Sequence, residues 1–115
     1  MRIGDLLAWQ WSDYGRTHRS RANLLIHIVA VPAFLASNVG LVAALATGRW
    51  WTAAGCLLTL LVALALQGIG HRRESEVPAP FTGRANFAIR MFAEQWFTFP
   101  RFVLSGGWAR ALRAT

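Results

Sequence analysis

The stretch that decides the fold is residues 14–32, YGRTHRSRANLLIHIVAVP, where a basic, polar segment passes into a long apolar one. It carries two of the three histidines of the chain, His18 and His27. The third, His71, lies where the next apolar run ends. Because a polar side chain at membrane depth is costly, a histidine at the start of such a run calls for a functional explanation.

The composition predicts a membrane protein. Of the 115 residues, 55% are hydrophobic and only 15% are charged, which is little charge to cover the surface of so small a soluble domain. The length predicts one domain over residues 1–115. The single cysteine, Cys56, excludes an intrachain disulfide and a cysteine metal cluster.

Two apolar runs predict an all-α integral membrane hairpin. Residues 24–46 and 51–70 contain no Arg, Lys, Asp or Glu, and at ~1.5 Å per residue they reach roughly 34 Å and 30 Å, enough to cross a bilayer. Pro32 is expected to kink the first run, and residues 47–51 to form the turn between the two. Residues 3–13 are predicted as a short helix on the membrane surface, and residues 84–99 as an amphipathic helix in the interface or packed on the hairpin.

The arginines predict the orientation. All 12 basic residues are arginines, and the net charge is +7. Only Arg49 lies in the predicted turn, so the positive-inside rule places both termini on the cytoplasmic side of a bacterial-type inner membrane. No basic stripe with interleaved aromatic residues is present, so membrane lipids are the expected partners and nucleic acid is not. The oligomeric state stays open.

The hairpin brings every histidine to one cytoplasmic layer. His18 precedes the first run, His27 lies about one turn inside it, and His71 follows the second run at the same face. Each one alone would be an ordinary interfacial hydrogen-bonding residue, but their convergence favours a metal site. Imidazole suits Fe and Zn about equally. Glu74, three residues after His71, is the predicted carboxylate ligand or a hydrogen-bond acceptor beside the ligands.

Three further side chains are candidates for this site. Asn23 and His27 are four residues apart and share a helix face. Tyr14 precedes the first histidine by four residues, which makes it a hydrogen-bond donor to the site or an interfacial anchor. The candidate catalytic residues are therefore Glu74, Tyr14 and Asn23. Glu94 stays open between a metal ligand and an ion-pair partner of Arg90.

These motifs resemble those of a known family. The pattern His18-x4-Asn23-x3-His27-x4-Pro32, preceded by Tyr14, resembles the first motif of the Mpo1-like family. Residues 67–80, QGIGHRRESEVPAP, resemble its second motif. Residues 94–108, EQWFTFPRFVLSGGW, resemble its bacterial branch, so the resemblance covers about residues 14–108.

The resemblance implies an Fe(II)-dependent dioxygenase that uses O₂ to shorten a 2-hydroxy fatty acid by one carbon, with Zn as a possible substitute metal. An arginine near the site, such as Arg72 or Arg19, would meet the carboxylate. The acyl tail would lie along the hairpin, in a groove beside small residues such as Ala36. Two alternatives stay open: a membrane hydrolase or cyclase that uses His and Glu as acid and base, and a non-enzymatic membrane scaffold.

Overall fold

A computed structural model describes residues 2–115, and its regular structure in that range is helical throughout. The helices are α1 (Ile3–Tyr14), α2 (Arg21–Ala46), α3 (Trp50–His71), α4 (Arg84–Ala93), α5 (Phe99–Leu104) and α6 (Gly107–Arg113). A 3₁₀ turn, Gly15–Thr17, follows α1, and a π-helical turn, Glu94–Thr98, joins α4 to α5. The all-α prediction is confirmed.

Helices α2 and α3 form the predicted hairpin. Gly48, in the turn between them, has a φ of 69°, a conformation that favours glycine. The two helices approach closely at two further glycines. A Cβ on Gly40 would contact the Sγ of Cys56, and a Cβ on Gly70 would contact the Oδ1 of Asn23. Close backbone approach therefore holds the hairpin together near both of its ends.

Both hairpin helices are long and apolar enough to cross a membrane. In the most apolar stretch of each helix, only 28% of the residues of α2 and 22% of those of α3 are buried within the protein. A helix in the core of a soluble protein is mostly buried. Large apolar side chains such as Val29, Leu58 and Trp51 are exposed on them. Lipid tails would cover such a surface. Helix α2 continues through Pro32, whose side chain is exposed.

Helix α4 and the π-helical turn that follows it carry a polar stripe that faces the protein interior. Arg90, Glu94 and Thr98 are buried, while Phe92 and Trp96 are about half exposed. The sequence correctly places an amphipathic helix here, but its aromatic face is the one turned away from the protein. This orientation suits a helix whose surroundings are apolar.

The π-helical turn explains how this segment presents neighbouring side chains to the interior. The N–H of Phe99 donates to the carbonyl of Glu94, five residues earlier. Because the turn is wider than an α-helical one, the three consecutive residues Ala93, Glu94 and Gln95 are all buried. Pro100 does not end the helix, since α5 runs on to Leu104.

The main core lies at the histidine end of the hairpin. Its buried cluster joins α1, α2 and α5 through Tyr14, Leu24, Val31, Phe99 and Phe102. From α6, the Nε1 of Trp108 donates to the carbonyl of Leu24 at 2.9 Å. The short helices thus surround the end of the hairpin where both α2 begins and α3 ends.

Candidate metal centre

The structure brings the three histidines together. His18 follows the 3₁₀ turn, His27 lies in the second turn of α2, and His71 is the last residue of α3. Their ring centroids are 4.9 Å (His18 to His27), 4.9 Å (His18 to His71) and 5.0 Å (His27 to His71) apart. His18 and His27 are buried and His71 is partly buried. The hairpin topology accounts for this convergence.

Glu94 is the fourth member of the group. Its Oε2 lies 3.3 Å from the Nε2 of His18 and 3.8 Å from the Nε2 of His27. One ligand atom from each of the four residues lies within 4.8 Å of all the others, so the group could hold a metal ion. Three imidazoles and one carboxylate form a donor set that suits iron or zinc.

Hydrogen bonds leave the imidazole lone pairs available. The Nδ1 of His18 lies 2.8 Å from the carbonyl of Tyr14, and the Nδ1 of His27 lies 3.0 Å from that of Asn23. A carbonyl only accepts, so each Nδ1 carries the proton and each Nε2 keeps its lone pair. Both Nε2 atoms, and the Nδ1 of His71, are buried without a hydrogen-bond partner among residues 2–115. A cation bound between these nitrogens and the carboxylate would give each of them the partner that it lacks.

Tyr14 connects the carboxylate to the first histidine. Its hydroxyl donates to the Oε2 of Glu94 at 2.8 Å, and its ring stacks on that of His18 with centroids 3.7 Å apart. Burial, and then the charge and hydrogen bond of Glu94, raise the pKa of Tyr14 well above its usual value, so the hydroxyl keeps its proton. Burial alone would raise the pKa of Glu94, but the neighbouring imidazoles of His18, His27 and His71 lower it to about 2.

Glu74 lies outside this group. Its carboxylate accepts from the backbone N–H of Arg19 at 3.0 Å and of Ser20 at 2.9 Å, at the start of α2. It also accepts from the Nδ2 of Asn23 at 2.8 Å. Glu74 therefore ties the segment after α3 to the N-terminus of α2, and it acts through Asn23, whose carbonyl orients His27. Of the two roles considered for Glu74 from the sequence, its position fits a hydrogen-bond acceptor beside the histidines and not a member of the group that could hold a metal.

Comparison with known proteins identifies a family for this chain. The sequence profile of a family described as "2-hydroxy-palmitic acid dioxygenase Mpo1-like" matches residues 6–102, most of the chain. This chain belongs to the Mpo1-like family. No curated protein and no solved structure matches it. The matched range contains all four residues that could hold a metal, including Glu94.

The candidate metal site of this Mpo1-like chain lies at a cavity of about 240 Å³. His18, His71 and Glu94 line one part of it, and apolar side chains of α3 and α4, among them Leu64 and Met91, line another. The cavity thus runs along α3 and α4. The groove that the sequence suggested beside Ala36 is on a different helix, α2, and Ala36 is exposed.

The arginine that lines this cavity is not one of the two predicted from the sequence. Arg90 lines the cavity, whereas Arg19 and Arg72 are exposed and do not. Arg90 forms no ion pair with Glu94, which corrects that alternative. Its guanidinium instead donates to the carbonyls of Ala79 and Pro80, at 2.9 Å and 3.1 Å. Arg90 could have been found from the sequence, because it belongs to a polar stripe on a helix that is otherwise rich in aromatic residues.

Proposed function

We propose that this protein is an Fe(II)-dependent membrane dioxygenase that shortens a 2-hydroxy fatty acid, or a related lipid, by one carbon. The observation that carries the proposal is the set of buried, unpartnered imidazole nitrogens of His18, His27 and His71 around the carboxylate of Glu94. The group lies at the wall of a largely apolar cavity, as a site for a lipid-like acid would. The family description names the same substrate class.

The proposed reaction balances without a further reductant. The C1–C2 bond of the 2-hydroxy acid breaks, and C1 leaves as CO₂. C2 gains one oxygen atom and becomes the carboxyl carbon of the shorter acid. The remaining oxygen atom of O₂ becomes water with the two hydrogens that C2 and its hydroxyl lose. The four electrons that the substrate gives up are those that O₂ accepts.

His18, His27, His71 and Glu94 would hold the iron, which when bound supplies the redox chemistry that O₂ needs. The protein residues then have definable tasks. Tyr14 donates to Glu94 and fixes the direction of its carboxylate. The carbonyls of Tyr14 and Asn23 set the tautomers of two histidines, which is a common way to orient metal-binding imidazoles.

The surrounding aromatic and aliphatic side chains limit the access of water. Phe99 packs on His27 with ring centroids 5.8 Å apart, and Phe102 packs on Tyr14 at 5.1 Å. A dry, shaped site protects reactive intermediates from side reactions. Tyr14, Asn23 and Glu74 are accordingly proposed as positioning residues, because Tyr14 and Asn23 contact metal-binding residues and Glu74 contacts Asn23.

We place both termini and the site on the cytoplasmic side of the membrane. The support is the arginine distribution, since only Arg49 lies between the two hairpin helices. The site lies at the end of the hairpin opposite this turn. An acid drawn from the cytoplasmic leaflet would reach the cavity at the depth where its headgroup resides.

The test is oxygen consumption by purified, Fe(II)-loaded protein supplied with 2-hydroxypalmitic acid. We expect one O₂ consumed for each pentadecanoic acid formed, as measured with an oxygen electrode and by mass spectrometry. Palmitic acid, which lacks the 2-hydroxyl, should give no uptake. Protein loaded with Zn(II) should be inactive, because zinc has no redox chemistry.

The same experiment separates the alternative functions. Turnover that is equal with Zn(II) and Fe(II), without oxygen uptake, would favour a hydrolase or cyclase and overturn the proposal. Protein that neither binds metal nor turns over any acid would leave the scaffold function. Ala36→Ser, a change on the exposed side of α2 away from the cavity, serves as the control for handling of the membrane protein.

A further inference from the structure

Arg90 is a buried cation that forms no ion pair in the described part of the chain, although the carboxylates of Glu94 and Asp13 line the same cavity. Arg90 is 8% exposed, and among residues 2–115 it forms no salt bridge. Buried arginines are rarely left without a counterion, because removing a charge from water is costly. Arg90 also lines the same cavity as Glu94 and His71.

The groups in direct contact with the Arg90 guanidinium are two aromatic rings and two backbone carbonyls. The guanidinium carbon lies 4.2 Å from the ring centroid of Phe81 and 5.0 Å from that of Trp9. The carbonyls of Ala79 and Pro80 accept two hydrogen bonds from it. Since a guanidinium has five N–H donors in a fixed planar fork, donors remain for a ligand in the cavity.

We propose that Arg90 binds the carboxylate of the lipid-like acid and so sets the position of the substrate; this inference rests on the proposed function. A guanidinium matches a carboxylate with two parallel hydrogen bonds, which selects an acid over an ester or an alcohol. The occupant of the cavity is therefore a long-chain carboxylic acid. Its carboxylate would form the direct ion pair that neither Glu94 nor Asp13 forms with Arg90.

The placement of Arg90 fits the proposed reaction. Arg90 and Glu94 are four residues apart, at the end of α4 and the start of the π-helical turn, and both line the cavity. Side chains at this spacing have Cβ atoms ~5–6 Å apart. A carboxylate held at Arg90 thus puts the adjacent C2 and its hydroxyl toward the four metal-binding residues, while the acyl chain follows the apolar wall at Leu64 and Met91.

The test is a binding measurement on metal-free protein, so that it does not depend on catalysis. Brominated palmitic acid quenches tryptophan fluorescence, and Trp9 lines the cavity. Palmitic acid and methyl palmitate then compete against it in detergent micelles. The wild-type protein should bind the acid on the order of 10-fold to 100-fold more tightly than the ester, as expected for hydrogen bonds to a charged group.

Arg90→Gln should remove this preference and leave the affinity for the ester unchanged. Arg90→Lys, which keeps the charge but loses the fork, should retain only part of it. Arg84→Gln is the matched control, since Arg84 is an exposed arginine on the same helix. The metal content of all three variants should equal that of the wild type, whereas a collapse of the site would lower it.

Two results would overturn the proposal: a wild-type protein that does not distinguish acid from ester, or an Arg90→Gln protein that still prefers the acid. The first needs no variant and decides the matter even if Arg90→Gln fails to fold. An acid preference that depends on Arg90, in a protein without oxygenase activity, would support this inference and contradict the proposed function. Oxygenase activity in a protein whose acid preference does not depend on Arg90 would support the proposed function and contradict this inference.

Discussion

Replacing Glu94 with glutamine, in parallel with Glu74, separates the two carboxylates that the sequence left open. Glu94 is the anionic member of the group that could hold a metal. Loss of groups that only orient metal ligands costs 10-fold to 100-fold in affinity, so loss of a ligand should cost more than ~100-fold, or about 2.7 kcal/mol. A glutamine oxygen can still accept the bond from Tyr14, so Glu94→Gln should fold normally.

Glu74→Gln should show the opposite pattern. The Glu74 carboxylate accepts from two backbone N–H groups at the start of α2 and from Asn23. A neutral amide keeps one acceptor but loses the charge-assisted part of these bonds, which should destabilise the protein by about 1–2 kcal/mol. The effect on metal affinity should be indirect, on the order of 10-fold, because it passes through Asn23 and His27.

The assay has two readouts on the same preparations. Metal affinity is measured by competition with a chromophoric chelator, and stability by thermal unfolding in detergent, followed by near-ultraviolet circular dichroism. Glu76→Gln is the matched control, because Glu76 is exposed and, within residues 2–115, pairs only with Arg16, at 3.1 Å. Wild-type metal affinity in Glu94→Gln would refute the reasoning. So would a larger loss of metal in Glu74→Gln than in Glu94→Gln.

Three further changes test other parts of the structure. Tyr14→Phe deletes only the hydroxyl that orients the carboxylate, so metal affinity should fall about 10-fold; an unchanged chelator competition would contradict this. Gly70→Ala places a Cβ against Asn23 and should destabilise the protein by about 1–3 kcal/mol in thermal unfolding. Gly68→Ala, which has open space, should not, and equal effects would count against the close approach. Reporter fusions at Arg49 and after the C-terminus should lie on opposite sides of the membrane, and matching sides would exclude the hairpin.

The hairpin and the convergence of the histidines were predictable because they follow from topology. Two uninterrupted apolar runs define two antiparallel helices. His27 near the start of one and His71 at the end of the other must then lie at the same end. The polar segment that precedes the first helix delivers His18 to the same layer, so no knowledge of side-chain packing was needed.

The fourth member of the group was harder to predict because it depends on packing. Glu94 belongs to a polar stripe that a sequence alone would direct toward water, but in the structure the stripe faces inward and the aromatic face outward. The π-helical turn then changes which side chains point inward, and no simple periodicity anticipates it. Arg90 was not predicted for the same reason, because it belongs to the polar stripe that faces inward. Glu74 looked equally suitable until its contacts with the start of α2 were visible.

The most direct test of the metal centre is the metal content of the purified protein after reloading with Fe(II) under anaerobic conditions and removal of excess metal. Inductively coupled plasma mass spectrometry should find one iron per wild-type chain, and little in His27→Ala or His71→Ala proteins that still insert in the membrane. Iron retained at the wild-type level in both variants would contradict the account, because the histidines would then be structural.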